Sequence, residues 1–166
     1  MTIDYKKDGS GWHRWDLHLH GPGTKLANGY GDTSEENLRA YLEVLEGSDV
    51  QVFGITDYFS FDSYLAVSEA YERLYPHGTK VFIPNCEFRL METVSSDGRN
   101  VHTHVLIDPA LASVTKLRTL LSDLHTHKTR EGLRLRCSEL TSREEYEQAT
   151  ISLSDLQTAL KKVFPD

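Results

Sequence analysis

The sequence predicts an α/β protein built around a mostly parallel β-sheet. Four short apolar runs rich in Val, Ile, Phe and Trp have the composition of strands, and helical patterns separate the first three runs. Such an alternation of strand and helix is typical of βαβ units. The chain has 166 residues, which is enough for one domain with a substantial core. We therefore expect a single α/β domain.

The predicted strands share a short length and a high content of β-branched and aromatic residues. They cover residues 13–20, 50–59, 80–90 and 101–108. Between the third and the fourth strand lies the segment SSDGRN, at 95–100, which is too short for a crossover helix and contains the turn-forming pair Asp-Gly. A hairpin or an irregular loop is therefore predicted at this connection.

Two amphipathic patterns connect the first three strands. The pattern at 32–47 opens with Thr33 and Glu36 in the spacing of a capping box, carries leucines on one face and ends at a glycine. The pattern at 61–78 repeats apolar residues at helical spacing until Pro76 ends it. Both patterns predict helices that pack against the sheet.

The remaining segments surround this predicted core. The α/β domain is expected to cover 13–125 and to close with a helix at about 113–125, after an N-terminal tail at 1–12. Residues 126–150 are polar and weakly periodic, so a loop, a disordered excursion and a surface helix remain alternatives there. Residues 151–166 predict a last amphipathic helix, which would lead into further chain if the protein continues.

Composition and charge restrict the partners and the location of the protein. The net charge of −7 argues against broad electrostatic capture of nucleic acid, although bound divalent cations would change the local field at a site. No apolar run reaches the roughly 20 residues of a membrane helix, and the N-terminus lacks the apolar core of a signal peptide. Cys86 and Cys137 lie far apart. We therefore expect a cytoplasmic protein without membrane contact.

The first predicted strand contains the pattern Asp-x-His-x-His. Because side chains alternate along a strand, Asp16, His18 and His20 are expected on one face. Two imidazoles about 7 Å apart along a strand can converge on one divalent ion at the strand's end, and Asp16 could orient one of them. Taken alone, the pattern is also explained by a half-buried strand whose histidines make ordinary hydrogen bonds.

Three later strands carry further side chains of the kinds that bind metals. Asp57 follows the second apolar run, Glu87 follows the third, and His102 and His104 belong to the fourth. In α/β folds, ligands gather at the carboxyl ends of parallel strands. His, Asp and Glu together suit Zn²⁺, Mn²⁺ or Fe²⁺, so the four strands predict a divalent metal site. Singly, Asp57 could instead cap the next helix, and Glu87 could be a solvated hairpin residue.

The order DLHLH, GITD, CEF and HVLI resembles the PHP (polymerase and histidinol phosphatase) domain family over about residues 13–110. The resemblance implies a distorted (βα)7 barrel that binds metal ions and hydrolyses phosphate esters, including DNA. The opening Trp-Asp-Leu-His also resembles PHP domains that are fused to SMC-like or AAA-like ATPases of bacterial antiviral defence. A complete barrel needs roughly 200 residues or more. We therefore expect a partial or distorted barrel, in a longer chain or beside a partner ATPase domain or subunit.

The resemblance also implies roles for single residues. His18 and His20 match the metal ligands of the first motif, and Glu87 matches a carboxylate that bridges two ions. His104 matches the next ligand better than His102 does, because apolar residues follow His104 directly. Asp57 matches a supporting residue of the second motif.

The sequence departs from the family pattern at several places. Tyr58 stands where the family has a histidine, and no histidine lies between His20 and His77. Both departures concern the family's third metal site, so one or two ions are expected. For the later motifs the only candidates are His125 and His127, for which a solvated helix terminus is the expected setting.

These observations lead to one expected function and two alternatives. The expected function is that of a metal-dependent phosphoesterase, a phosphodiesterase or nuclease, in which Asp57, Tyr58 and Arg89 are the catalytic candidates. Tyr58 or Arg89 would hydrogen-bond the phosphate, with a plain surface charge as the alternative for Arg89. The first alternative is a degenerate PHP module that binds or scaffolds a partner ATPase without catalysis. The second is an amidohydrolase or TatD-like metal hydrolase, which also opens with His-x-His.

Overall fold

The computed structural model describes residues 13–93 and 100–165, in which a curled four-stranded sheet forms a half-barrel with helices around it. The expected N-terminal tail and nearly all of the SSDGRN connection lie outside the described residues. The fold is mixed α/β, as the alternating pattern predicts. The described strands form part of a barrel and do not complete one.

The described elements follow the predicted order and then add a second, smaller sheet. Their bounds are β1 (Arg14–His20), α1 (Glu35–Gly47), β2 (Val50–Tyr58), α2 (Asp62–Leu74), β3 (Val81–Thr93), β4 (Asn100–Leu106), α3 (Val114–Asp123), β5 (His125–Arg130), β6 (Leu133–Arg136), a 3₁₀ helix (Cys137–Glu139), α4 (Arg143–Gln148) and α5 (Leu153–Val163).

The main sheet has the order β1-β2-β3-β4. β1, β2 and β3 run parallel, and β4 runs antiparallel to β3. The prediction of a mostly parallel sheet is therefore confirmed, as is the change of direction after the third strand. Parallel neighbours place their carboxyl ends at one edge, and β4, running the other way, begins there.

One core lies beneath the main sheet and the helices. α1 buries the leucines that its pattern placed on one face, and α2 buries Val67, Ala70 and Tyr71. Aromatic side chains join the helices to the strands, since Tyr71 packs edge-on against Phe82 with ring centroids 4.9 Å apart. Within the described ranges, no helix combines the length and the apolarity needed to cross a membrane.

The start of α1 differs from the prediction by one residue. The helix begins at Glu35, so Ser34 is its N-cap and the Ser34 hydroxyl accepts a hydrogen bond from the Asn37 N–H at 3.4 Å. The predicted capping pair, Thr33 with Glu36, is therefore wrong. Both sites offer a hydroxyl at the right spacing, and sequence spacing alone does not choose between them.

Residues 126–150 contain the short helix α4, which is mostly exposed and agrees with the surface-helix alternative, and a β-hairpin, which none of the three alternatives predicted. β5 and β6 pair as an antiparallel hairpin whose turn, Glu131-Gly132, has φ values of 53° and 81°. Two positive φ values in a two-residue turn match the right-handed twist of the flanking strands. Thr126 and Leu135 are buried, so the hairpin adds to the core.

The two late histidines lie on this hairpin and not at a helix terminus. α3 ends at Asp123, and His125 begins β5 with an exposed side chain. His127 Nδ1 lies 3.1 Å from the carbonyl oxygen of Thr150, and the Arg134 guanidinium lies 2.8 Å from His127 Nε2. The contact with Thr150 ties the hairpin to the chain before α5, and the contact with Arg134 joins the two strands of the hairpin.

Candidate metal centre

β1 is irregular where its histidines begin. Between Asp16 and Leu19 it carries one residue more than the paired stretch of β2, which is a β-bulge. Asp16 therefore falls on the face opposite to His20, and the prediction of one regular face is wrong. The Asp16 carboxylate accepts a hydrogen bond from the His18 N–H at 3.2 Å, so it holds the bulged backbone and does not orient an imidazole.

β2, β3 and β4 bring further side chains to the face that carries His20. Glu87 on β3 lies directly opposite His104 on β4, and Tyr58 on β2 lies opposite Glu87 on the other side. His102 lies opposite Arg89, two residues further along β3, so it shares a face with His104. The register of three strand pairs therefore gathers these residues around Glu87.

The Glu87 carboxylate is the centre of the cluster. Its Oε2 lies 3.5 Å from His18 Nε2 and 3.9 Å from His20 Nε2, whereas its Oε1 lies 2.5 Å from His102 Nδ1. His18, Glu87 and His104 each offer a ligand atom within 4.8 Å of the others. Glu87 is 4% exposed, and within the described part of the chain its Oε2 has no hydrogen-bond partner.

This donor set can hold a metal ion. A buried carboxylate oxygen without a partner is unfavourable unless a cation or a donor compensates for the lost hydration. Ligands that lie about 2.1 Å from a tetrahedral ion are about 3.4 Å from one another. The separation of 3.5 Å between His18 Nε2 and Glu87 Oε2 is close to that value. Two imidazoles and one carboxylate are ordinary ligands of divalent transition metals.

The protonation states of the cluster favour ligand binding. Burial lowers the pKa of His20 and of His104, so both imidazoles stay neutral at neutral pH and can offer a lone pair. Burial, together with the nearby negative charge of Glu87, raises the pKa of the Tyr58 phenol. The Tyr58 ring stacks on His20 with centroids 5.2 Å apart. Tyr58 therefore lies at the cluster as a protonated hydrogen-bond donor.

His104 has a hydrogen-bond partner that the sequence patterns did not identify. Its Nδ1 lies 3.2 Å from Oδ1 of Asn85, a residue that is 1% exposed. The Asn85 amide nitrogen donates to the Leu17 carbonyl oxygen at 2.7 Å and to the Thr56 hydroxyl at 2.9 Å. The available signal was its position: Asn85 precedes Glu87 by two residues on one strand and therefore shares its face.

Asp57 lies outside the cluster and is a structural residue. Its side chain is fully buried, and its Oδ1 accepts hydrogen bonds from the Lys25 and Tyr58 N–H groups, each at 2.8 Å. Burial raises the pKa of this carboxyl to about 6. A group without exposed surface cannot touch a substrate. The catalytic role predicted for Asp57 is therefore corrected to one of joining the β1–α1 loop to the end of β2.

Arg89 also makes structural contacts. Its Nη1 donates hydrogen bonds to the carbonyl oxygens of Tyr146, Glu147 and Ala149, at 3.1, 2.8 and 3.0 Å. These oxygens belong to the carboxyl end of α4, where a helix leaves carbonyls without intrahelical partners. The Arg89 guanidinium, which was expected to bind phosphate, therefore donates to backbone carbonyl oxygens. It is also not the plain surface charge that was the alternative expectation.

Comparison with known proteins adds no family, because no model of a protein family matches the chain and no curated protein matches it. The PHP resemblance of the sequence therefore stays a prediction. The case for a function rests on the side chains around Glu87.

Proposed function

We propose that this chain is a metal-dependent phosphoesterase that hydrolyses phosphodiesters, with DNA or RNA among its substrates. The observation that carries the proposal is the buried Glu87 carboxylate, whose Oε2 lacks a hydrogen-bond partner in the described residues and faces the imidazoles of His18 and His20. The order of the motifs along the chain, which resembles that of PHP domains, supports the same chemistry.

The two oxygens of Glu87 face different histidines, which supports one or two ions. On the Oε2 side, His18 and His20 would act as ligands, with His104 beside them. On the Oε1 side, His102 would take part in a second site. A bridging carboxylate between two neighbouring ions is an arrangement that suits phosphate ester hydrolysis.

The surrounding side chains suit an anionic substrate once the site is loaded. A bound Mn²⁺, Zn²⁺ or Fe²⁺ ion would supply an activated water at neutral pH and positive charge for the phosphoryl oxygens. The His18 side chain is 55% exposed, so solvent and substrate reach the cluster from that side. The protonated phenol of Tyr58 would donate a hydrogen bond to a phosphoryl or leaving-group oxygen.

A second candidate function is a metal-binding or scaffolding module without catalysis. The stacking of Tyr58 on His20 favours it, because an aromatic ring occupies a position at which the PHP pattern has a further histidine ligand. A phenol with a raised pKa is a poor metal ligand at neutral pH. This candidate predicts bound metal with no turnover of any phosphate ester.

The first test combines metal analysis with hydrolysis. We expect the purified protein, stripped with a chelator and reloaded with Mn²⁺ or Zn²⁺, to retain one or two ions per chain. It should then cleave bis(p-nitrophenyl) phosphate or single-stranded DNA. Glu87→Gln removes the central negative charge and should reduce both metal content and hydrolysis to background, and His18→Ala should weaken both.

The matched control is His77→Ala, which removes an exposed histidine from the turn after α2 and should change neither metal content nor hydrolysis. Protein that stays free of metal after reloading would contradict the proposal. Metal binding without hydrolysis would support the scaffolding module, and cleavage of carboxylic esters or amides but not of phosphates would support the amidohydrolase alternative.

A further inference from the structure

Asn85 on β3 joins its own strand to the three other strands of the sheet at the metal cluster. Its amide nitrogen donates to the Leu17 carbonyl oxygen of β1 and to the Thr56 hydroxyl of β2, and its amide oxygen lies 3.2 Å from His104 Nδ1 of β4. The side chain is 1% exposed, so these contacts take place without competition from bulk water. A polar side chain with such contacts has a single favourable orientation.

The partners of the amide nitrogen determine that orientation. The Leu17 carbonyl can only accept a hydrogen bond. The Thr56 hydroxyl donates its own proton to the Gly54 carbonyl oxygen at 3.2 Å, so toward Asn85 it also acts as an acceptor. Rotating the amide by half a turn would place its oxygen against two acceptors. The Asn85 oxygen therefore faces His104.

We propose that Asn85 is a positioning residue that fixes His104 in the tautomer protonated on Nδ1 and so presents Nε2 to the metal ion. An amide oxygen can only accept, so His104 Nδ1 must carry the hydrogen of this contact. The neutral histidine side chain in water prefers the other tautomer, which carries its proton on Nε2. The tautomer follows from the contacts alone, whereas the role toward metal rests on the proposed function. Partners of this kind orient the histidine ligands of many metal sites.

The backbone around Leu17 is shaped for this contact. The bulge between Asp16 and Leu19 interrupts the β1–β2 register at Leu17, whose carbonyl oxygen accepts from Asn85. At Gly54, a Cβ atom would collide with that carbonyl oxygen, so only glycine allows β1 to approach β2 this closely. The irregular part of β1 thus supplies an acceptor for the residue that holds His104.

The test begins with metal-free protein and needs no activity. Long-range ¹H–¹⁵N correlation spectra of protein labelled on histidine nitrogens distinguish the two neutral tautomers, and a His104→Gln variant assigns the signals. We expect the wild-type His104 to show a protonated Nδ1 and an unprotonated Nε2. A wild-type spectrum with the proton on Nε2 would overturn the inference without any further variant.

Two substitutions separate the hydrogen bond from simple packing. Asn85→Leu removes the acceptor, so His104 should shift toward the Nε2-protonated tautomer and the affinity for Co²⁺ should fall about 10- to 100-fold, with an altered visible spectrum. Asn85→Asp disturbs the Leu17 and Thr56 contacts but keeps an oxygen acceptor for His104, so it should retain the Nδ1-protonated form. Unchanged tautomer and Co²⁺ affinity in a folded Asn85→Leu variant would contradict the proposal.

The outcomes also separate this inference from the proposed function. A wild-type protein with the expected tautomer that binds no metal would leave the Asn85–His104 contact intact and would refute the metalloenzyme. Equal metal affinities of the wild type and of Asn85→Leu would support the metal site but would refute the positioning role of Asn85.

Discussion

At the residue scale, the buried carboxyl group of Asp57 connects two segments that are distant in sequence. Its Oδ1 holds the N–H of Lys25 in the β1–α1 loop and the N–H of Tyr58 at the end of β2. Within the described residues, its Oδ2 has no hydrogen-bond partner. The ionised Asp57 carboxylate therefore has too few hydrogen-bond donors to replace the hydration that it loses on burial. This loss of hydration raises the pKa of Asp57.

We expect Asp57→Asn to remove a pH dependence of stability. The pKa of about 6 in the folded protein lies above the ordinary 3.8, so the folded state holds a proton that the unfolded chain has released between these values. The stabilising contribution is complete below the unfolded pKa and is lost as the pH rises through the folded one. As the pH rises from about 4.5 to about 7.5, the free energy of unfolding of the wild type should fall by about 2 kcal/mol relative to that of the variant.

Urea unfolding of both proteins across that pH range measures the difference. Asp108→Asn, which changes an exposed carboxyl group in a turn, is the control and should keep the pH dependence of the wild type. If the free energies of unfolding of the wild type and Asp57→Asn changed equally with pH, the pKa of Asp57 would be the same in the folded and the unfolded state.

At the scale of elements, β3 organises both the site and the C-terminal region. Its side chains Asn85 and Glu87 serve the cluster, and Arg89, two residues further, caps α4. The backbone of the same strand pairs with the chain after α4, since the Ile151 N–H donates to the Arg89 carbonyl oxygen at 3.0 Å. α4 is therefore held against the strand that carries the cluster.

We expect Arg89→Met to destabilise α4 and its surroundings by about 1–3 kcal/mol, because backbone carbonyl oxygens lose a charged donor. Hydrogen exchange should accelerate in residues 143–151 before it does so in β2. Arg89→Lys keeps the charge but not the planar group and should restore only part of the protection. A variant with normal stability and exchange but a raised KM for phosphodiesters would instead support the phosphate contact.

At the scale of the whole molecule, the candidate metal centre joins strands that are far apart in sequence. His18 and His20 come from β1, Glu87 from β3 and His104 from β4. The unfolded chain cannot hold these side chains at ligand distances. An ion at the cluster would therefore bind the folded state much better than the unfolded one and stabilise the half-barrel.

We expect Mn²⁺ or Zn²⁺ to raise the Tm of metal-free protein. At a free ion concentration of about 100 times Kd, the gain is about 2.7 kcal/mol. Because about 1 kcal/mol shifts Tm by about 2–4 °C for a chain of this size, the expected rise is about 5–11 °C. Glu87→Gln should abolish the shift, whereas His77→Ala should keep it. Equal shifts in the wild type and in Glu87→Gln would place the stabilising ion elsewhere.

Much of the fold could be predicted because its signals are local. Apolar strands alternating with amphipathic helices define parallel βαβ units. The β5–β6 hairpin escaped prediction because its strands are polar, and because its Glu131-Gly132 turn differs from the commoner Asn-Gly and Asp-Gly pairs. Its order comes from Thr126 and Leu135 entering the core, which no local pattern indicates.

The sequence by itself determined which side chains reach the carboxyl edge of the sheet, because parallel strands share that edge and side chains alternate along each strand. It thereby indicated that His18, His20 and Glu87 approach one another, whereas His104 joins them because β4 pairs antiparallel with β3 and places it opposite Glu87. Only the tertiary structure decided how they meet. The bulge in β1 separates Asp16 from the histidines, and α4 engages Arg89. Asn85 holds His104 because side chains and backbone of four strands meet there, and contacts between distant strands leave no periodic signal in a sequence.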